Sequence, residues 1–188
     1  MTFKIKGYKI FIASPSGLEE ERKAFAALIE EYNKDEAMHR EVIFQAVGWE
    51  ETLSGMGRPQ SLINEELRKC DYFVLLLHDR WGSFPGKNDK AATSGTEEEY
   101  IISLDCYKSK QHPMRQLICF FKSVPPNQLA DPGKELQKVL DFKKKLETKK
   151  SLLYSTFSSL SEFNQLLRKN LSSGTLRNSI INGIYHPV

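Results

Sequence analysis

Residues 94–100 read Ser-Gly-Thr-Glu-Glu-Glu-Tyr, three carboxylates side by side between a small-residue turn and an apolar stretch. Acids suit the first turn of a helix, where unpaired backbone N–H groups and the helix dipole attract negative charge. Thr96 and Glu99 also have the T-x-x-E spacing of a capping box. Capping explains the run without any chemistry. It does not explain the long polar loop that precedes it, Asp79 to Gly95. The second reading gives one carboxylate, Glu99, a catalytic task, with the helix start holding it in place.

Other residues with chemical potential have two readings each. Ser14-Pro15-Ser16-Gly17 can turn the chain and cap a helix, since Ser16 and Glu19 have S-x-x-E spacing. A helix start built from small residues also accepts phosphate. Trp49 and Trp81 can be core rings, but Trp81 lies between Arg80 and Gly82 in a polar loop, a place suited to stacking on a ligand ring. Arg58 can be a surface residue or a phosphate partner. The scattered His39, His78, His112 and His186 suggest no metal site. No P-loop, G-x-G-x-x-G, H-E-x-x-H, C-x-x-C or G-x-S-x-G pattern occurs.

The elements that must position these residues alternate between two periods. Short apolar runs rich in β-formers predict strands over 8–14, 41–49, 72–78, 115–123 and 152–158. Helical stripes predict helices over 17–34, 58–70, 96–108, 133–149 and 161–171. In the first helix Leu18, Arg22, Phe25, Ile29 and Tyr32 share one face. The run 72–78 is continuously apolar, as a central parallel strand covered on both sides requires. Five β-α repeats with short links predict an α/β fold, a flavodoxin-like doubly wound parallel sheet of order 2-1-3-4-5 in three layers. In that order ligands bind beyond the carboxyl ends of strands 1 and 3, where strand order reverses. The residues singled out above gather at that edge. The domain spans 1–173, and 174–188 is a tail or linker.

Composition narrows the class. The chain has 188 residues, 40% hydrophobic and 27% charged, which suits one soluble globular domain. Its longest apolar run, Tyr72 to Leu77, is too short to span a membrane, and the lack of a charged-then-apolar opening predicts that the protein carries no secretory signal. Cys70, Cys106 and Cys119 are odd in number and far apart, which predicts reduced thiols in the cytoplasm. Residues 1–105 hold 13 Lys/Arg against 19 Asp/Glu, a balance of −6, and residues 106–188 hold 14 against 5, a balance of +9. Much of the basic half is the run 134–150, where Leu136, Val139, Leu140 and Leu146 form an apolar stripe and most lysines fall outside it. That is a solvated helix face rather than a nucleic-acid surface.

Taken together, the runs KIFIASPSGLEEER, W-E-E-T, RPQSLINEELRKCDYFVLLL, RWG and SGTEEEY resemble a TIR-like domain, formerly of unknown function, that stands at the N-terminus of STAND-type NTPases and repeat proteins. The resemblance is close over 8–122 and one of pattern over 123–172. It implies kinship with the TIR and nucleoside 2-deoxyribosyltransferase group, many of whose members break or exchange an N-glycosidic bond. The transferases carry a G-T-x-x-E motif with a catalytic Glu, and Gly95-Thr96-Glu97-Glu98-Glu99 looks like it. This points to Glu99. Because the Trp-to-Glu spacing departs from the usual TIR pattern, Glu98 is the alternative.

What the resemblance implies is an NAD+ glycohydrolase acting in defence or cell-death signalling, with NAD+ or a related nucleotide as substrate and no cofactor or metal. Ser14, Pro15, Ser16, Trp49, Arg58, Arg80, Trp81, Gly82, Thr96 and Tyr100 are then the candidate ligand contacts. Self-association and a fused STAND NTPase are the expected partners. The alternatives are a non-catalytic TIR-like oligomerisation module and a deoxyribosyltransferase-like enzyme. One carboxylate suffices for NAD+ because nicotinamide departs neutral and needs no proton. The charge growing on the ribose is what requires stabilisation, and a carboxylate about 4 Å away contributes about 4 kcal/mol at an effective dielectric of ~20. That is close to a thousandfold in rate.

Overall fold

Runs dense in Ile, Val, Phe and Tyr form five strands: β1 (Lys6–Ala13), β2 (Val42–Val47), β3 (Tyr72–Leu77), β4 (Gln116–Lys122) and β5 (Tyr154–Phe157). The structure is a computed structural model that describes residues 4–48, 59–86, 92–109, 111–149 and 152–172. All neighbouring strands pair in parallel, in the order β2-β1-β3-β4-β5. The expected flavodoxin-like sheet is therefore present. Every residue of β3 is buried, as a central strand with both faces covered demands.

Among the described residues six helices connect the strands: α1 (Glu19–Tyr32), α2 (Pro59–Leu67), α3 (Gly95–Lys108), α4 (Pro126–Ala130), α5 (Lys134–Lys149) and α6 (Leu160–Ser172). Because successive strand residues point to opposite faces, the sheet feeds two cores. Ile10, Ile12, Tyr72, Val74 and Phe120 pack with Phe25 and Ile29 of α1 and Phe163 and Leu167 of α6. Phe11, Phe73, Leu75 and Phe121 pack with Leu67, Ile102, Cys106 and Leu136 from α2, α3 and α5. Each fully buried Leu or Phe contributes about 2 kcal/mol of transfer free energy. All three cysteines are free and buried.

The predicted face of α1 is buried in full, Leu18, Arg22, Phe25, Ile29 and Tyr32 alike. Past Tyr32 the chain loosens into a π-turn (Asn33–Ala37) and then tightens into a 3₁₀ turn (Met38–Arg40). Asn33 shows what this irregular stretch accomplishes. Its Nδ2 donates to the Phe44 carbonyl at 2.6 Å, and the Phe44 N–H donates to its Oδ1 at 2.8 Å. Strand β2 is an edge, so these backbone groups have no neighbouring strand. A side-chain amide takes that strand's place.

One local expectation needs correction. The Ser16–Glu19 capping box does not form. Leu18 occupies the cap position with no side-chain cap, and Glu19 Oε1 instead accepts from the Gly17 N–H at 2.9 Å. Ser16 Oγ accepts from Arg80 Nη1 at 3.4 Å. Pro126 opens the short helix α4, which the helical periodicities did not mark, and its missing N–H costs nothing there. The proposed tail at 174–188 lies outside the described residues. Among the described residues no helix is long and apolar enough to cross a membrane.

Replacing Asn33 with Leu keeps the volume but leaves both backbone groups of Phe44 without their protein partner. The expected cost is about 1–3 kcal/mol in a urea unfolding titration, with faster amide exchange at Phe44.

Candidate functional site

Beyond the carboxyl ends of β1 and β3, where strand order reverses, lies a cleft of about 270 Å³. Ser14, Pro15 and Ser16 form one wall as the chain leaves β1, and Glu19 and Arg22 of α1 continue it. Gln60 and Ile63 of α2 face them. Gly82 and Ser83 after β3, with Gly95, Thr96 and Glu99 at the start of α3, complete the lining.

The three adjacent carboxylates have three different tasks. The start of α3 is set by Ser94, whose Oγ accepts from the Glu97 N–H at 3.1 Å. Glu97 turns back and accepts from both the N–H and the hydroxyl of Thr93, each at 2.7 Å. The capping device therefore sits two residues earlier than Thr96–Glu99. Glu98 is buried and accepts from Asn64 Nδ2 at 2.8 Å. Glu99 is left out of capping altogether. It is 7% exposed, lines the cleft, and accepts from Gln60 Nε2 at 2.9 Å. Burial pushes its carboxyl up to about 7, the hydrogen bond from Gln60 works against that rise, and the neighbouring Glu98 adds to it. The group can thus hold or release a proton near neutrality.

Gln60 links the two buried acids. Its Nε2 also reaches Asn64 Oδ1 at 3.2 Å, so the chain of contacts runs Glu99–Gln60–Asn64–Glu98. Gln60 and Asn64 stand one turn apart on α2, which places both carboxamides against the start of α3. Gly95 makes room for this. A Cβ there would come within 2.6 Å of Gln60 Oε1, inside contact distance. The glycine of the G-T-x-x-E run is needed here for the carboxamide above it, not for a turn.

Arg22 closes the other side. It is 5% exposed and donates from Nη1 to Ser14 Oγ at 2.9 Å and to the Pro15 carbonyl at 3.3 Å. Its Nη2 meets Glu19 Oε1 at 3.4 Å. The Ser14–Gly17 turn is thereby pinned to α1. The same turn is a poor phosphate cradle as it stands: the Gly17 N–H is taken by Glu19, and Glu19, Glu20 and Glu21 fill the first turn of α1. Arg80 is exposed and lies over this turn, its Nε 4.0 Å from where a Cβ on Gly17 would stand.

Of the expected site residues, Ser14, Pro15, Ser16, Gly82, Thr96 and Glu99 meet at the cleft, with Arg80 over the Ser16–Gly17 turn. Trp81 and Tyr100 do not line it. The Trp81 ring is 6% exposed and packs on Phe142 with centroids 5.3 Å apart, its indole N–H donating to Thr93 Oγ1 at 2.8 Å. Tyr100 meets the same Phe142 edge-on at 5.1 Å. Glu135 accepts from the N–H groups of Trp81 and Gly82, and Gly82 adopts a left-handed φ of 100°, so the loop turns the indole inward. Trp49 and Arg58 lie outside the described residues. Sequence reading missed Gln60 and the cleft-facing role of Arg22. A polar pair at i, i+4 and a cation on an apolar stripe were the available signals.

A family model described as "Domain of unknown function (DUF4062)" matches residues 9–172. No curated protein matches the chain.

Two predictions separate positioning from folding. In Gly95→Ala the new methyl displaces only the flexible end of Gln60, so the fold is retained. The Glu99 carboxyl, losing the contact that lowers it, titrates higher still by carboxyl-carbon NMR. Glu99→Gln concerns stability. Since the folded carboxyl titrates at about 7 against 4.5 for the free group, the unfolded chain ionises first as pH rises. The folded state is then penalised progressively from about pH 4.5, in full above about 7, by roughly 3 kcal/mol. Thermal melts of Glu99→Gln should run roughly 6–12 °C above the native chain at pH 8.5, with the gap nearly closed at pH 4.5.

Proposed function

The chain belongs to the DUF4062 family, and we propose that it is an NAD+ glycohydrolase whose catalytic carboxylate is Glu99. The observation that carries this reading is that Glu99, buried like Glu98 and free of the capping contacts that occupy Glu97, is the carboxyl of its run that lines the cleft at the switch point of the sheet. The resemblance of the Gly95-Thr96-x-x-Glu99 run to the N-glycoside-cleaving motif of the TIR and deoxyribosyltransferase group agrees with it. A cleft of about 270 Å³ suits the ribosyl-nicotinamide end of the dinucleotide, small-molecule sites starting near 300 Å³. The adenylate end then extends toward Arg80.

The chemistry follows from the charge on the leaving group. As the bond from ribose C1′ to the pyridinium nitrogen breaks, the bonding pair quenches the pyridinium charge and nicotinamide departs neutral. Positive charge gathers on the ribose ring, where the Glu99 carboxylate faces it. Water then bonds to C1′ and loses its proton to solvent, giving ADP-ribose. A cationic substrate also favours the ionised form of a carboxyl that titrates near neutrality. Gln60 holds the carboxylate in one orientation, and Arg22 keeps the opposing turn in place. Supply of one fixed negative charge at about 4 Å contributes about 4 kcal/mol at an effective dielectric of ~20.

Incubation with NAD+ at high protein concentration should release nicotinamide, with kcat/KM rising as pH passes about 7, because the ionised carboxyl is the active form. Glu99→Gln should lower the rate about a thousandfold, and Glu98→Gln far less. Equal rates for native chain and Glu99→Gln would overturn the assignment. Base exchange between deoxynucleosides with no NAD+ turnover would assign the transferase chemistry instead.

A further inference from the structure

The carboxyl ends of the strands carry a second hollow, on the other side of β3. It has a volume of about 360 Å³ and opens beyond β4 and β5, between α4 and α5. Leu136, Val139 and Leu140 of α5 form its apolar wall, and Leu129 of α4 stands at the mouth, 44% exposed. Among the described residues that line it there is no Asp or Glu, while Lys122, Lys143 and His78 all do. The two lysines differ. Lys122 is held by the buried Glu21 at 2.7 Å, so its charge is answered inside the fold. The Lys143 ammonium instead sits over the rings of Phe121 and Tyr154, 5.4 and 5.1 Å from their centroids. Ring faces orient a cation without neutralising it.

We propose that this hollow is a second ligand site, selective for a small organic carboxylate with an apolar alkyl body. The apolar wall takes the body, and the Lys143 ammonium takes the carboxylate. The volume lies in the range of small-molecule sites, about 300–1,000 Å³. A neutral ligand of the same shape brings no carboxylate to Lys143 in a hollow whose described lining holds none. A bare anion leaves the apolar wall wet. Selection therefore requires both halves in one molecule. This site shares no lining residue with the Glu99 cleft, and its occupancy does not depend on NAD+ chemistry.

Titration of methyl-labelled protein with octanoate tests it. Octanoate should move the methyl resonances of Leu129, Val139 and Leu140 saturably, while octanol and acetate should bind roughly tenfold or more weakly. Lys143→Glu should weaken octanoate by a similar factor, and so should Leu129→Glu, an exposed position where folding is not at stake. Glu99→Gln should leave octanoate binding unchanged. Octanol binding as tightly as octanoate, unaltered affinity in either charge variant, or no saturable shift up to about 10 mM would overturn the proposal. None of these readouts uses NAD+ turnover, so this proposal and the enzymatic one fail separately.

Discussion

The 2.9 Å hydrogen bond from Gln60 to Glu99 joins α2 to α3 across the mouth of the cleft, and the character of the site depends on it. A buried carboxylate is costly because water no longer solvates its charge. A neutral amide donor relieves part of that cost without cancelling the charge, as a lysine or arginine would. The carboxyl is thus left near neutrality in its titration, oriented, and still able to present negative charge to the cleft. Gly95 is part of the same device, since only a residue without Cβ leaves space for the carboxamide.

The opposite wall is built on a different balance. Arg22 brings a full cation under the turn after β1, where Ser14 and the Pro15 carbonyl accept from it and Glu19 offsets its charge. Charge-assisted hydrogen bonds of this kind are stronger than neutral ones and hold a turn in one geometry. The result is a rigid wall whose own hydrogen-bonding capacity is largely taken up. That arrangement gives the turn a fixed shape, with the exposed Arg80 lying over it. Glu99 has only a neutral amide to offset its buried charge, so its ionised form lowers the stability of the fold.

Both hollows exist because a parallel sheet ends all its strands on one edge. Chains leave β1, β3, β4 and β5 on that side, and each departing loop opens space between itself and its neighbours. The loop after β3 divides the two spaces. Its backbone is tied to α5 by Glu135 and to the start of α3 by the Gly95 N–H donating to the Ser83 carbonyl at 3.2 Å. The Trp81 ring folded beneath it fills the layer between sheet and helices.

By itself the sequence determined the strand count, the strand order and the buried face of α1, because periods of two and 3.6 residues register which side of each element meets the core. It also determined that the segment around Glu99 opens a helix near the carboxyl ends of β1 and β3. What it did not determine is which of three chemically identical acids does which job. Capping depends on where the helix begins to within one residue, and Ser94 rather than Thr96 won that position. Nor could composition tell where Trp81 turns, since a polar loop carries an inward-facing ring as easily as an outward one once Gly82 and Glu135 set its backbone. The partnership of Gln60 with Glu99 spans 39 residues, and only packing α2 against α3 brings the two together: a carboxyl's acidity is a property of its surroundings, and those exist only in the folded chain.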